Sequence, residues 1–292
     1  MMGVLGKVVD YGRMIKFSHT VFALPFALSA VVLAQREVPL TWATLAWVLV
    51  ALVAARSAAM GFNRIVDAPL DAGNPRTAGR EIPAGTLSRR QAGWFVAASS
   101  LAFIAAAAML GRWCLWLSVP VLAVLCGYSY TKRFTWLSHL VLGLAISLAP
   151  LGAWIALTGR LHWPILLLSG ALLTTIAGFD IIYACQDADY DRGAGLHSIP
   201  ARFGLRRALW VSTGLHGVSF LFFLLIHFAF GMHPVYLATV AVIGILLVVE
   251  HRLVDPGDLS RVQVAFFHVN SLISVVLLAG VLLDEVLRRW NG

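Results

Sequence analysis

The stretch TLAWVLVALVAARSAAMGFNRIVDAPLD, residues 44–71, joins two chemically opposed sequences. Up to Phe62 it is an apolar run broken by one charge, Arg56; then Asn63, Arg64, Asp67 and Asp71 follow within nine positions. An apolar run of about 20 residues crosses a hydrocarbon core of roughly 30 Å as a helix. With no water in that core the backbone must satisfy itself, so a span is a helix or part of a closed barrel. This run is continuous, without the ten-residue alternation of barrel strands, and reads as a helix.

The same pattern recurs along the chain. The 292 residues are 60% hydrophobic and 12% charged, about half the charge of a soluble protein of this size. Nine spans are expected near 17–35, 41–62, 93–111, 113–130, 138–158, 163–186, 208–229, 233–250 and 264–285. The fold class is therefore all-α, a polytopic nine-helix membrane bundle forming one domain over 1–292. The first span follows basic residues and ends in a VLAQ that resembles a cleavage site. Its apolar region exceeds the usual 7–15 residues of a signal peptide and eight more spans follow, so it is read as a span and not as a cleaved leader. Cys114, Cys126 and Cys185 lack metal or redox spacing and read as ordinary buried cysteines. The nine histidines are dispersed, and His19, His139 and His227 read as satisfied interior groups.

Charge assigns the sides. Lys7, Arg13 and Lys16, then Arg64, Arg76, Arg80, Arg89 and Arg90, then Lys132 and Arg133, then Arg192, Arg202, Arg206 and Arg207, then Arg252 and Arg261 all fall on one face, 16 of the 22 basic residues. Arg36, Arg112, Arg160, Arg288 and Arg289 fall on the other. The basic side is cytoplasmic, which puts the N-terminus inside and the C-terminus outside. The net charge of +8 follows from this topology, and no nucleic-acid partner is needed to account for it.

Spans 2 and 6 both run toward the cytoplasm, so their polar ends emerge on one face. The second such end is DIIYACQDADYD, residues 180–191. Together the two runs hold Asp67, Asp71, Asp180, Asp187, Asp189 and Asp191, six of the 14 acids. A charge at the centre of a membrane helix costs roughly 2.5–3.5 kcal/mol, which marks such residues as functional. Carboxylates crowded at a helix C-terminus also oppose the macrodipole unless a cation compensates. At about 100° per residue Asn63 and Asp67 share a face, with Arg56 two turns deeper. Pro69 is expected to end or kink the helix and leave Asp71 on a loop. In the second run Asp180, Tyr183, Asp187 and Asp191 form one stripe, while Asp189 points elsewhere. DADYD also begins like an EF-hand loop, but Arg192 stands where its glycine is needed and Ser198 where its glutamate is needed. Carboxylates and an amide with cations nearby suit Mg²⁺ shared between protein and a diphosphate, with Arg and Lys taking the remaining phosphate charge. A lipid tail on that diphosphate would account for a site at the mouth of a membrane bundle.

These residues resemble the UbiA superfamily of intramembrane aromatic prenyltransferases over essentially the whole chain. The family's first motif, N-x-x-x-D-x-x-x-D, corresponds to NRIVDAPLD (63–71), followed by NPRTAGREIPAG (74–85). Its second corresponds to Asp187 and Asp191, with Asp180 as the upstream acid. YSYTKRFTWLSHLVLG (128–143) matches the loop after span 4 and supplies Lys132 and Arg133. RMIKFSHTVFALPFAL (13–28) is similar to the 4-hydroxybenzoate polyprenyltransferase-like branch, which includes enzymes acting on dihydroxynaphthoate. The family motif often reads ND where Arg64 follows Asn63 here, a departure that leaves the metal pattern intact.

The resemblance implies Mg²⁺ held by Asn63, Asp67, Asp71, Asp187 and Asp191 against the diphosphate of a polyprenyl donor. Lys132 and Arg133, with Arg56, Arg64, Arg76 and Arg80, would take its charge, and Tyr128, Tyr130 or Tyr183 would shield an allylic cation. Asp180 or Asp191 would serve as base or orienting group for a phenolic acceptor, whose carboxylate Arg133 or Arg56 would hold. It also implies an integral protein of a bacterial inner membrane, working in ubiquinone or menaquinone biosynthesis on small-molecule substrates drawn from lipid. Related acceptors such as haem, homogentisate, chlorophyllide or a phosphorylated sugar share the same motifs. A secondary transporter with a buried Asp/Arg relay is the alternative of another class, but its charges would gather near the midplane on broken helices.

Overall fold

The computed structural model describes residues 4–291, which are predominantly helical, with no strand among them. In chain order the α-helices are α1 (Val4–Met14), α2 (Leu24–Ala34), α3 (Trp42–Gly73), α4 (Arg89–Leu110), α5 (Arg112–Gly127), α6 (Ser138–Thr158), α7 (Trp163–Ala184), α8 (Ala188–Gly193), α9 (Ile199–Phe203), α10 (Leu205–Ala229), α11 (Val235–Arg252) and α12 (Asn270–Asn291). Short 3₁₀ turns cover Phe17–Phe22, Tyr128–Arg133 and Cys185–Asp187, and a π-helical turn covers Val264–Val269. Among the described residues nine helices have the length and composition to cross a membrane, the number expected from the sequence.

The second and sixth spans run furthest past their expected ends, and both carry the acidic runs. The second continues through Pro69 to Gly73, and the sixth continues through the 3₁₀ turn and α8 to Gly193. Asp71 therefore lies on α3 and not on a loop. Pro69 removes one backbone donor and crowds the carbonyl of Ile65, yet contacts from the succeeding loop hold the last turn. Asn74 N–H and Thr77 Oγ1 both donate to the Asp71 carbonyl, and Arg80 pairs with the Asp71 carboxylate. At a 1.5 Å rise per residue, the helix of 32 residues is about 48 Å long. It exceeds a core of roughly 30 Å, so its acidic end can reach past the hydrocarbon.

The chain divides into two compact units. One comprises the segment up to Thr20 with Trp42–Tyr130; the other comprises Val21–Thr41 with the chain from Thr131 onward. In the first, α3 packs on α4 and α5, and α1 lies against α3. Met14, Ile15, Leu87 and Ala92 form a small core there, and Tyr11 stacks on Phe95 at 4.8 Å. Ser88 caps α4 in a reciprocal box: its Oγ accepts from Gln91 N–H while Gln91 Oε1 accepts from Ser88 N–H.

In the second unit α7 is the central helix, packed by α6 and α10, with α2 against α6 and α12 and with α11 between α10 and α12. Its residues are buried nearly all round, as expected of a helix apolar on every face. Gly143 of α6 sits so close to the Leu173 carbonyl of α7 that a Cβ has no room there. Gly178 of α7 is covered in the same way by the His216 ring of α10. Small residues at such crossings let membrane helices approach closely.

Candidate active site

In the first unit, the sequence pattern becomes a polar face on α3. Asn63 Nδ2 donates to Asp67 Oδ2 at 2.8 Å, one turn on, and reaches Ser129 Oγ at 3.4 Å. Asp71 is buried; its Oδ1 accepts from Arg80 Nη1 at 2.7 Å, while its Oδ2 is buried with no hydrogen-bond partner. A buried carboxylate oxygen without a donor is costly, and a bound cation resolves that cost. The oxygen chemistry of Asn63, Asp67 and Asp71 suits a hard divalent ion.

The arginines of this unit separate into different settings. Arg64 is buried and gives Nε to the carbonyl of Met14, where α1 ends. Arg56 gives Nη2 to the Lys16 carbonyl at 3.2 Å, and its Nε is buried with no partner. Arg76 is exposed, and its backbone N–H caps the side chain of Asn74. Tyr128 is half-buried against Met60 Sδ, whereas the exposed Tyr130 meets the ring of Phe62 edge-on at 6.0 Å.

In the second unit, Asp187 and Asp191 are both buried, and Asp191 Oδ2 lies 3.3 Å from Lys132 Nζ. Lys132 is fixed through its backbone, since its carbonyl accepts from His197 N–H at 2.7 Å. Arg133 is half-buried beside it. Asp189 is 98% exposed and pairs with Arg192, the separation from the stripe expected from helix phase. The ring of Tyr183 lies 4.3 Å from that of Phe266, in a group with Phe179 and Phe22.

Asp180 has a partner that helix phase alone does not assign. His139 Nδ1 lies 2.7 Å from Asp180 Oδ2, and His139 Nε2 receives Ile199 N–H at 3.3 Å. A signal for this pair existed: α6 and α7 form an antiparallel hairpin, and His139 is 19 residues before Thr158 while Asp180 is 17 after Trp163. Such counting from a tight turn brings the two to one level. Among the described residues no group of three or more His, Cys, Asp or Glu side chains forms a metal cage of its own.

Residues 23–272 match the profile of the UbiA prenyltransferase family. The chain belongs to this family. A 4-hydroxybenzoate octaprenyltransferase from Nitrosospira multiformis is 29% identical over 245 residues, covering 80% of each chain. A 4-hydroxybenzoate solanesyltransferase from Synechocystis is 32% identical over 227 residues, covering 76% of each. Among solved structures, a UbiA homologue from Aeropyrum pernix K1 superposes with a TM-score of 0.83 at 33% identity, covering 91% of this chain and 98% of that one. A UbiA homologue from Archaeoglobus fulgidus bound to GPP and Mg²⁺ superposes at 0.73 with 18% identity, over 93% of this chain and 99% of that one, and shares the fold. This UbiA-family chain is thus a membrane prenyltransferase.

Proposed function

We propose that the chain transfers a polyprenyl group from a polyprenyl diphosphate to a ring carbon of 4-hydroxybenzoate, with Mg²⁺, in quinone biosynthesis. The observation that carries the metal and diphosphate assignment is Asp71: a buried carboxylate at the end of a membrane helix, one oxygen held by Arg80 and the other without a donor. The relatives named for 4-hydroxybenzoate support the acceptor.

Asn63, Asp67 and Asp71 on the first unit would supply oxygen ligands to a divalent ion, and Asp187 and Asp191 are the candidate ligands on the second. When bound, Mg²⁺ supplies Lewis-acid stabilisation of the diphosphate as its bond to carbon breaks. Lys132 and Arg80 take phosphate charge that the ion leaves, Lys132 as a point charge and Arg80 by its fork; Arg76 and Arg133 lie on the same loops. Arg64 acts at one remove by fixing α1 on α3. Arg56, with its unfilled buried Nε, is the cation for the acceptor's carboxylate. The faces of Tyr128 and Tyr183 stabilise positive charge at the first carbon of the prenyl chain and exclude water. The acceptor attacks through the carbon next to its hydroxyl: a C–C bond forms, the C–O bond to diphosphate breaks, and the ring C–H pair returns to the ring as the proton leaves. Of the two acids proposed to take that proton, Asp180 is favoured. Asp191 is tied to an ammonium, whereas Asp180 is 23% exposed and is held through Oδ2 by the His139 ring.

The test is prenyl transfer by purified protein given geranylgeranyl diphosphate and a panel of 4-hydroxybenzoate and dihydroxynaphthoates, with and without EDTA. Prenylated 4-hydroxybenzoate that disappears with EDTA is expected. Product only from a dihydroxynaphthoate would move the enzyme to the menaquinone branch. Turnover unaffected by EDTA would remove the metal.

A further inference from the structure

We propose that His139 is a positioning residue for Asp180: a fully buried imidazole, locked as the Nδ1–H tautomer, that holds one oxygen of the Asp180 carboxylate and aims the other at the acceptor. The role of Asp180 rests on the prenyl-transfer reading; the pairing itself does not.

The tautomer follows from the two partners. Ile199 N–H can only donate, so Nε2, 3.3 Å away, is the accepting nitrogen and carries no proton. The ring proton is therefore on Nδ1, which donates to Asp180 Oδ2 at 2.7 Å. An imidazole held from both sides keeps its orientation as well as its tautomer. His139 has 0% side-chain exposure, so solvent does not compete for either nitrogen.

The surroundings determine where this ring stands. His139 lies in the first turn of α6, directly after the loop bearing Lys132 and Arg133. One turn on, Gly143 lets α6 approach the backbone of α7 at Leu173, two turns before Asp180. That contact brings His139 within hydrogen-bond distance of Asp180. On its other side the ring reaches Ile199, first residue of α9 and part of a small core with Ile181, Cys185 and Ala208. Ser198, buried, caps α9 through Ala201 N–H, so the Ile199 amide is itself fixed. A carboxylate on a bare helix face would rotate among staggered rotamers. This one is held by a neutral donor, which leaves its negative charge available for the acceptor's hydroxyl and departing proton.

Three substitutions separate positioning from packing. Asn places its amide near the Nδ1 position and keeps a donor for Asp180; Gln reaches the Nε2 position and keeps an acceptor for Ile199; Leu keeps neither. His139→Leu and His139→Gln should lower kcat about a hundredfold, the usual cost of a misaimed catalytic group. KM for the prenyl diphosphate should stay within about twofold, because this pair does not bind the donor. His139→Asn should recover kcat to within about tenfold of wild type. In a double-mutant cycle, His139→Leu should add little to Asp180→Asn, since the two act as one unit. A His139→Gln enzyme with normal kcat would reduce the residue to a fastener between α6 and α9, and multiplicative losses in the cycle would make it independent of Asp180. Either result overturns the proposal. The tautomer is read without turnover, from ¹⁵N shifts of labelled histidine compared with His139→Leu: protonated Nδ1 is expected, and protonated Nε2 would overturn the pairing. A wild-type protein that prenylates no acceptor while showing protonated Nδ1 would overturn the reaction, leaving the pair as geometry alone.

Discussion

Asp67 and Asp189 are both aspartates near the end of a membrane helix, yet their side chains have opposite fates. Asp67 is half-buried and takes the amide of Asn63, whereas Asp189 stands in solvent with Arg192. Asp67→Asn and Asp187→Asn should each lower kcat by more than about a hundredfold while the protein remains folded, since each removes a charge from the proposed metal and diphosphate site. Asp189→Asn should change kcat by less than about threefold, because an exposed ion pair contributes little. Steady-state turnover with saturating Mg²⁺ distinguishes them, and equal losses would mean the helix phase is misread. Arg56→Leu should raise KM for 4-hydroxybenzoate about tenfold or more, the value of a hydrogen bond to a charged group. It should leave KM for the prenyl donor unchanged, and a rise in the donor KM instead would put Arg56 on the diphosphate. The acids were legible in the sequence because helix phase is local: it needs only spacing within one run. The partner of Asp191 was not, because Lys132 is 59 residues away and only folding brings it there; that of Asp180, 41 residues away, shows only in the level that the α6–α7 turn sets and not in helix phase.

At the scale of elements, local rules failed where tertiary contacts outweighed them. Pro69 signals a helix end by propensity, but Arg80 and Thr77 return to the same turn and hold it. The 3₁₀ turn at Cys185–Asp187 likewise allows the sixth span to continue into α8, and the continuation carries Asp191. The ninth span contains a π-helical turn that hydropathy does not register. Asn270 explains it: its Nδ2 donates to the carbonyls of Ala265 and Phe266, opened by the wider turn, and to Glu250 Oε1 at 2.7 Å. Glu250 also lies 3.5 Å from His216 of α10, so one amide joins the π turn to a polar group between helices. Asn270→Leu should lower stability by about 2–4 kcal/mol, because buried acceptors lose their donor together. The fall should be visible as a lower unfolding temperature in detergent. The ring of Phe266 shifts against Tyr183 if the π turn closes, so loss of turnover should accompany the loss of stability. An unchanged unfolding temperature would mean the turn is held by the packing of α12 alone.

The whole molecule must also choose a direction in the membrane. We propose that the bias of 16 basic residues to five sets that direction, and with it the side the acidic runs face. Basic residues in short loops resist translocation, so the face carrying Lys7, Arg90 and Arg207 is the one proposed to stay cytoplasmic. Among the described residues Asp71 and Asp191 lie at the ends of the second and sixth candidate spans, so an even number of crossings would return each to the side proposed for the N-terminus. Single cysteines at Ala72 and Ala194, both exposed beside the acidic runs, should resist a membrane-impermeant maleimide in intact cells and react after permeabilisation. A cysteine at Leu161, 59% exposed in the turn between α6 and α7, should react from outside without it. The background protein has Cys114, Cys126 and Cys185 replaced, so that each label reports one position. Labelling of Ala72→Cys and Ala194→Cys from outside, with Leu161→Cys protected, would invert the topology and place the proposed site on the far face. Labelling of Ala72→Cys and Ala194→Cys from opposite sides would be more damaging, because no shared diphosphate site survives it.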